Sequence, residues 1–517
     1  MTIANQVNGP RRAAAARWRG WPPRVRVALA AGLAVLLAAI ITGLTLARPS
    51  HPKHGGVAAP RVATIGVIAP MSGAFSASGQ ATARAVQLAV KTANDEQLIP
   101  GWKLRYAGAD DASRPDGGAR AADEFRADPT TIGVIGPLSS TVATVALPTL
   151  SAAHIPVISP ANSDPALTGA TAAPRTRPYP SYFRLSGTDV DQAAVAADYA
   201  VRTMGRHRII VVDEGPYYDS GPTPAERFAT GARALGATIL AYRSVDGENP
   251  DPDIASIAEQ IEATSPDLVY VSAGSDVAAR LRERLARGLL PVTVFGTDGL
   301  LDARYLAHAG TDTAGDHATD LAAPLAGLAG ARQFVQRYEQ GAGSSPTPRP
   351  AMSGPASSSD GSAAPSPPPA QPSPSASPSA SPSASPSASP SASPSASPSA
   401  SPSASPSASS SASSSASSSA SPSVSPSPEP RAEIPPVAAP AYDAAQALLR
   451  AAAIVLPTLP AVTSAARQAV TAAIGRARFT GVTGPVAFDA WGDLVHPVVA
   501  VYEVVGEEFV PVLVRRR

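Results

Sequence analysis

Hydroxyl and carboxylate side chains in a few polar loops are the residues of this sequence best suited to chemistry. The stretch "GPLSSTVA" (136–143) sets Ser139, Ser140 and Thr141 between the apolar run "TIGVI" and an alanine-rich helical segment. Three adjacent hydroxyls at such a turn can cap a helix, hold a phosphate or hold another anion. "SPANSDPALT" (159–168), "DEGPYYDSG" (213–221) and "GTDG" (296–299) each follow another apolar run. In open parallel sheets the carboxyl ends of the strands are where ligands bind, so these loops are the candidate site.

Other chemistries find no support. "SGAFSASG" (72–79) is Gly/Ser-rich after an apolar run, but no Lys follows, so it is not a P-loop. No G-x-S-x-G nucleophile elbow occurs. The seven histidines are scattered, and His51 and His54 fall in a linker where they read as solvated. Asp110 and Asp111 end an apolar run and read as caps. The chain has no cysteine, which excludes disulfides, thiolate metal sites, a cysteine nucleophile and lipid attachment through a thiol. A formal net charge of +1 offers no global field for nucleic acid. The expectation is a non-enzyme without cofactor or metal.

The elements that must position these loops alternate between strand and helix. "VATIGVIA" (62–69), "KLRYAGAD" (103–110), "TIGVIG" (131–136) and "IPVIS" (155–159) read as strands, and "QATARAVQLAVKTAN" (80–94) as a helix with one apolar face. After about Phe183 the alternation restarts. "RIIVVD" (208–213), "ATILAYRSV" (237–245), "DLVYVS" (267–272) and "PVTVFG" (291–296) are strands, with helices near 189–203, 222–235, 252–263 and 275–288. Near-continuous apolar strands alternating with helices predict α/β architecture with parallel sheets covered on both faces. Two such runs in series predict two doubly wound lobes with a ligand cleft between them.

The ends and the middle of the chain differ from this pattern. Residues 1–26 carry six arginines and no acid, and "VALAAGLAVLLAAIITGLTLA" (27–47) follows without a charge. About 20 apolar residues span a bilayer, so 27–47 is read as a transmembrane signal anchor behind a basic cytoplasmic segment. A signal peptide cleaved near "TLARP", giving a secreted protein, is the alternative. Residues 48–61 form a Pro/Gly-rich linker. Residues 341–437 are Pro/Ser/Ala-rich with a "SPSA" period and no apolar periodicity, so they are expected to be a disordered spacer. Helices at 441–455 and 461–475 and a strand pair at 497–505 and 509–514 follow.

With these residues in view, the chain resembles the type I periplasmic binding proteins, specifically the leucine/isoleucine/valine-binding group of branched-chain amino acid ABC transporters. "IGVIAPMSGAFSASGQATARAVQLAV", "GVIGPLSSTVATVALPTLSAAHIPVISPANSDPALT", "YFRLSGTDVDQAA" and "GVTGPVAFDAWGDL" resemble segments of that group in the same order. The resemblance implies that Ser140 holds a ligand α-carboxylate, together with a backbone group of Ala161 and the hydroxyl of Ser163. It implies that Asp298 holds the α-ammonium and that Tyr218 closes over the ligand. Ser78 stands where the group has an aromatic, with Phe75 nearby, and "AGSD" (273–276) replaces a second aromatic, so the side-chain pocket differs.

The expected organisation is a first lobe from 62–184 and 322–482, interrupted by the insert, and a second from 185–321 and 483–517. The resemblance implies an extracytoplasmic solute-binding protein that takes an amino acid or similar small polar solute by lobe closure. Its partners would be an ABC permease and ATPase, with the membrane reached through the N-terminal helix. A sensory receptor subunit of the same fold and a non-transport cell-surface protein are the alternatives.

Overall fold

The computed structural model describes residues 60–215, 221–309, 313–341 and 434–517, together with the isolated Pro22. The anchor, and the linker and insert assigned from sequence apart from residues 60–61, 341 and 434–437, lie outside these residues. Among the described residues no helix is long and apolar enough to cross a membrane.

The first half alternates as its apolar runs predict. β1 (Arg61–Ala69), α1 (Ser76–Asp95), β2 (Trp102–Asp110), α2 (Pro115–Ala127), β3 (Thr131–Ile135), α3 (Ser140–Ala152), β4 (Val157–Ser159) and β5 (Tyr182–Arg184) build one sheet in the order β2-β1-β3-β4-β5. Every pairing in it is parallel. Its central strand β3 is buried throughout, because helices cover both faces. On one face Val86, Ala89 and Val90 of α1 pack with Leu448 and Leu449, which lie beyond the insert. On the other, Phe125, Ala146 and Leu147 pack against Val134 and Val157. The strand order reverses between β1 and β3, so the loops leaving those two strands diverge and open a crevice.

The second run continues with α4 (Asp189–Asp198), β6 (Arg208–Asp213), α5 (Pro224–Ala234), β7 (Thr238–Ser244), α6 (Asp251–Thr264), β8 (Leu268–Ser272), α7 (Ser275–Arg287), β9 (Thr293–Gly296), α8 (Ala303–Ala309) and β10 (His317–Asp320). The helix expected over 189–203 is α-helical only to Asp198 and proceeds as a π-helical turn over Tyr199–Thr203. Beyond α9 (Ala331–Gly341) and the insert come α10 (Ala438–Val455), α11 (Ser464–Gly475), the hairpin β11 (Arg478–Gly481) and β12 (Gly484–Ala487), then β13 (Val498–Val505) and β14 (Glu508–Arg516).

The second sheet runs β14-β13-β10-β9-β8-β6-β7. Its β6 to β10 part is parallel, whereas β13 pairs antiparallel with β10 and β14 with β13. The last strands of the chain thus complete a sheet begun before the insert. The sequence pattern omitted β5, β10 and the hairpin strands β11 and β12, all short. The chain before the insert and the chain after it pack as one unit.

Candidate functional site

The site begins where β3 ends. Gly136 has φ +99°, and a Cβ there would stand 2.0 Å from the Ile68 carbonyl oxygen, so only glycine lets the chain turn this close to β1. The turn delivers Ser139 as N-cap of α3, in extended conformation and without a side-chain capping bond. Ser140 is the first helical residue and is 8% exposed. Its Oγ accepts the amides of Ser163 and Asp164, both at 3.2 Å. With its lone pairs so occupied, the hydroxyl has its proton left to donate. The cap reading of this serine is therefore incomplete: the amides it accepts belong to the loop after β4 rather than to its own helix.

That loop is tied to the turn at several further points. Ser159 Oγ donates to the Pro137 carbonyl at 2.7 Å and accepts the amides of Ala161 and Asn162. Asn162 Nδ2 donates to the Leu138 carbonyl at 2.8 Å, and Tyr182 Oη donates to Asn162 Oδ1 at 3.0 Å. The Ala161 amide is thus engaged by Ser159. Beneath the loop lies the fully buried Arg184, whose guanidinium donates to the carbonyls of Asn162 and Asp164, to Thr168 Oγ1 at 2.7 Å and to Asp493 Oδ1 at 2.6 Å. Arg175 joins the same Asp493 at 2.7 Å. Burial opposes ionisation of Asp493, but the two guanidiniums and Thr168 prevail and hold its carboxyl below the usual range.

Ser163 leads out of the first sheet. Its carbonyl accepts the Asp189 amide at 3.0 Å. Asp189 opens α4, whose start is fixed by a capping box between Thr188 and Asp191. One turn on, Gln192 Nε2 donates to Asp298 Oδ1 at 2.8 Å and reaches the Thr319 carbonyl at 3.5 Å. Asp298 is exposed and sits just past β9. A continuous path therefore joins Ser140, Ser163, Asp189 and Asp298.

Asp189 is 3% exposed, and its Oδ2 has no hydrogen-bond partner. Burial, reinforced by the charges of Asp298 and Asp164 and opposed by Ser163 and Arg184, pushes its carboxyl up to about 7. Asp320, at the end of β10, is likewise pushed up to about 7 by burial and by Asp298. The path thus runs from a hydroxyl at a helix start to the carboxylates of Asp189 and Asp298.

The remaining expected residues are more dispersed. Phe75 precedes α1, is 54% exposed, and lies 5.7 Å from the Arg304 guanidinium of α8, which faces its ring. Ser78 is half-buried in the first turn of α1, where its carbonyl accepts Thr82 Oγ1. Asp110 clamps the loop before Phe75, accepting the amides of Met71 and Ala112. Tyr218 lies outside the described residues.

Sequence reasoning passed over Asp189, Arg184 and Asp493. Arg184 and Asp189 stand in the "YFRLSGTDVDQAA" segment, and Asp493 in "GVTGPVAFDAWGDL", but their partners are distant in the chain. A separate cavity of about 250 Å³ opens beside Phe334, Arg337, Tyr442, Arg450 and Phe479. None of the seven expected residues lines it. The Asp443 carboxylate at its edge is occupied by the amides of Val482 and Thr483 and by Thr483 Oγ1, a structural clamp between α10 and the hairpin loop.

Comparison with known proteins agrees with this architecture. The periplasmic binding protein family matches residues 62–357, more than half of the chain. The Leu/Ile/Val-binding protein homolog 3 of Brucella melitensis is 29% identical over 253 residues, covering 49% of this chain but only 65% of its own length. The Leu/Ile/Val-binding protein BraC3 of Rhizobium johnstonii is 28% identical over 283 residues, 55% of this chain and 71% of its own. In fold, the chain is similar to the branched-chain amino acid transporter substrate-binding protein LivJ of Streptococcus pneumoniae, solved with isoleucine. The TM-score is 0.59 at 16% identity, over 88% of this chain and 99% of that one. It is also similar to a Rhodopseudomonas palustris ABC-transporter solute-binding protein solved with 4-hydroxybenzoate, with TM-score 0.60 at 14% identity, over 88% and 97%. The chain belongs to the periplasmic binding protein family.

Proposed function

We propose that the protein is the extracytoplasmic solute-binding component of an ABC importer and that it takes up an amino acid as a zwitterion. One observation carries the reading: the path from Ser140 through Ser163 to Asp189 and Asp298 sets a donor-rich helix start opposite acceptor carboxylates. A carboxylate leaving water needs several donors, and charge-assisted hydrogen bonds contribute about 1.5–3 kcal/mol each. The Ser140 hydroxyl, at the positive end of a 13-residue helix, supplies one such donor in a favourable field. An ammonium leaving water needs an opposing carboxylate, and the unpartnered Oδ2 of Asp189 with the exposed Asp298 meets that need.

The solute binds between a first lobe (62–184 and 322–482) and a second (185–321 and 483–517), and closure of the lobes about their connecting strands traps it. The relatives named for leucine, isoleucine and valine support an amino-acid solute, and the closed protein is what an ABC permease recognises. The N-terminal apolar segment holds the protein to the membrane with both lobes outside the cytoplasm. No bond of the solute is made or broken.

Thermal denaturation of the full chain against a panel of amino acids tests the reading. A ligand at 100 times its Kd stabilises by about 2.7 kcal/mol, which is a readily measured upward shift. No shift with any amino acid or related carboxylate rejects the proposal.

A further inference from the structure

The chain passes from one sheet to the other after β5, after β10 and ahead of β13. Contacts at these crossings can persist however the two halves swing, because the chain itself holds them together. A contact between the halves away from every crossing has to break when they part. One such contact joins the loop after β1 to helix α8 of the second half. The Phe75 ring faces the Arg304 guanidinium, 5.7 Å from its centroid, and neither residue lies in a crossing segment.

Both partners are set in place by their own half. On the first side, the Met71 amide donates to Asp110 Oδ1 at 2.8 Å, and Gln80 Nε2 donates to the Met71 carbonyl at 3.3 Å. The Phe75 carbonyl accepts the Gly79 amide at 3.2 Å, which ties the residue to the first turn of α1. On the second side, Arg304 Nη2 donates to Asp302 Oδ2 at 2.7 Å and Nε to Asp302 Oδ1 at 3.1 Å. Asp276, in the first turn of α7, stands 3.7 Å from Nη1. The guanidinium therefore gathers the segments that follow β8 and β9. Its edge is occupied by carboxylates, and its planar face is left for a ring to stack on.

Phe75 is 54% exposed and joins none of the apolar clusters found among the described residues. Packing within its own half does not account for a phenylalanine at this place, and Arg304 is its partner in the other half. We propose that Phe75 and Arg304 form a latch between the two lobes that favours their closed arrangement independently of any solute. This rests on the lobe-closure reading above and adds to it a residue pair that sets how readily the cleft opens. Such a latch shifts the closed population by its own free energy, whichever solute follows.

Distances between spin labels on introduced cysteines test the latch, because the chain has no cysteine of its own. Glu124→Cys on α2 and Glu259→Cys on α6 are exposed positions that report lobe separation in the full chain with no solute added. Phe75→Ala and Arg304→Gln are each expected to raise the ratio of open to closed protein about two- to fivefold, the weight of an exposed cation–π contact. Combined, they should shift it no further than either does alone. Phe75→Leu, apolar but without a π face, should behave as Phe75→Ala does, and Phe75→Trp should favour the closed form. Should Arg304→Gln fold poorly, the three Phe75 variants decide. Identical distance distributions in wild type, Phe75→Ala and Phe75→Trp overturn the latch, and so do additive effects in the double variant. A mixture of the standard amino acids separates this outcome from failure of the underlying reading. Distances that respond to the mixture but not to Phe75→Ala reject the latch alone, whereas distances that respond to neither reject lobe closure as well.

Discussion

In the proposed site Ser140 is the donor and Asp189 the acceptor, and each role can be tested alone. Ser140→Ala removes the donated proton and should weaken solute binding about 10- to 100-fold, the equivalent of one charge-assisted hydrogen bond. Circular dichroism and melting should show an intact fold, and unchanged affinity would return this serine to a purely structural role. Asp189 makes a prediction with two signs. Its carboxyl is raised to about 7 by burial, so the empty protein loses stability from this group as pH rises from the unfolded value near 4 through 7. Asp189→Asn, which cannot ionise, should therefore melt higher than the wild type at pH 8, with the gap closing toward pH 5. The same substitution should weaken solute binding at pH 8. A variant less stable than the wild type at both pH values would show that Asp189 is a structural acid. Of the candidate site, the loops carrying Ser140, Ser163 and Asp298 were legible because they are polar and lie behind apolar strands. Asp189 was not, since "GTDVDQ" reads locally as a helix start and nothing in the chain places Asp298 near it.

At the scale of elements, the loops at the strand ends are held by contacts that the sequence conceals. Arg184 carries the "SPANSDP" loop on its guanidinium and is itself held by Asp493, 309 residues away. Arg184→Met leaves Asp493 partly buried with one of its two guanidinium partners gone and should cost roughly 3 kcal/mol, read by denaturant titration. A change under about 0.5 kcal/mol would contradict the role assigned to the pair. The turn at Gly136 is a sharper case. Gly136→Ala forces a Cβ against the Ile68 carbonyl at positive φ and should destabilise by roughly 2–4 kcal/mol. Parallel strands such as β3 and β8 were evident from their apolar runs. β10 was missed because "HATD" is short and polar, and it is buried through its partners β9 and β13 rather than through its own composition.

On the scale of the whole molecule, the chain returns after the insert to complete what it began. α10 packs on α1, and β13 pairs with β10 across about 180 residues of sequence. Closure entropy grows slowly with length, so a long insertion between α9 and α10 costs only a few kcal/mol against a shared core. Cutting the chain at a protease site introduced within 342–433 should leave two fragments that co-purify without denaturant; separation of the fragments would refute the shared core. The alternation of strands and helices announced this architecture, whereas the antiparallel edge formed by β13 and β14 required the pairing partner, β10, that the sequence did not reveal. The central claim concerns what this assembled molecule holds. Isothermal titration of the full chain with a panel of standard amino acids should give saturable binding of at least one of them, weakened tenfold or more by Ser140→Ala. Heats indistinguishable from dilution for every amino acid would contradict the account.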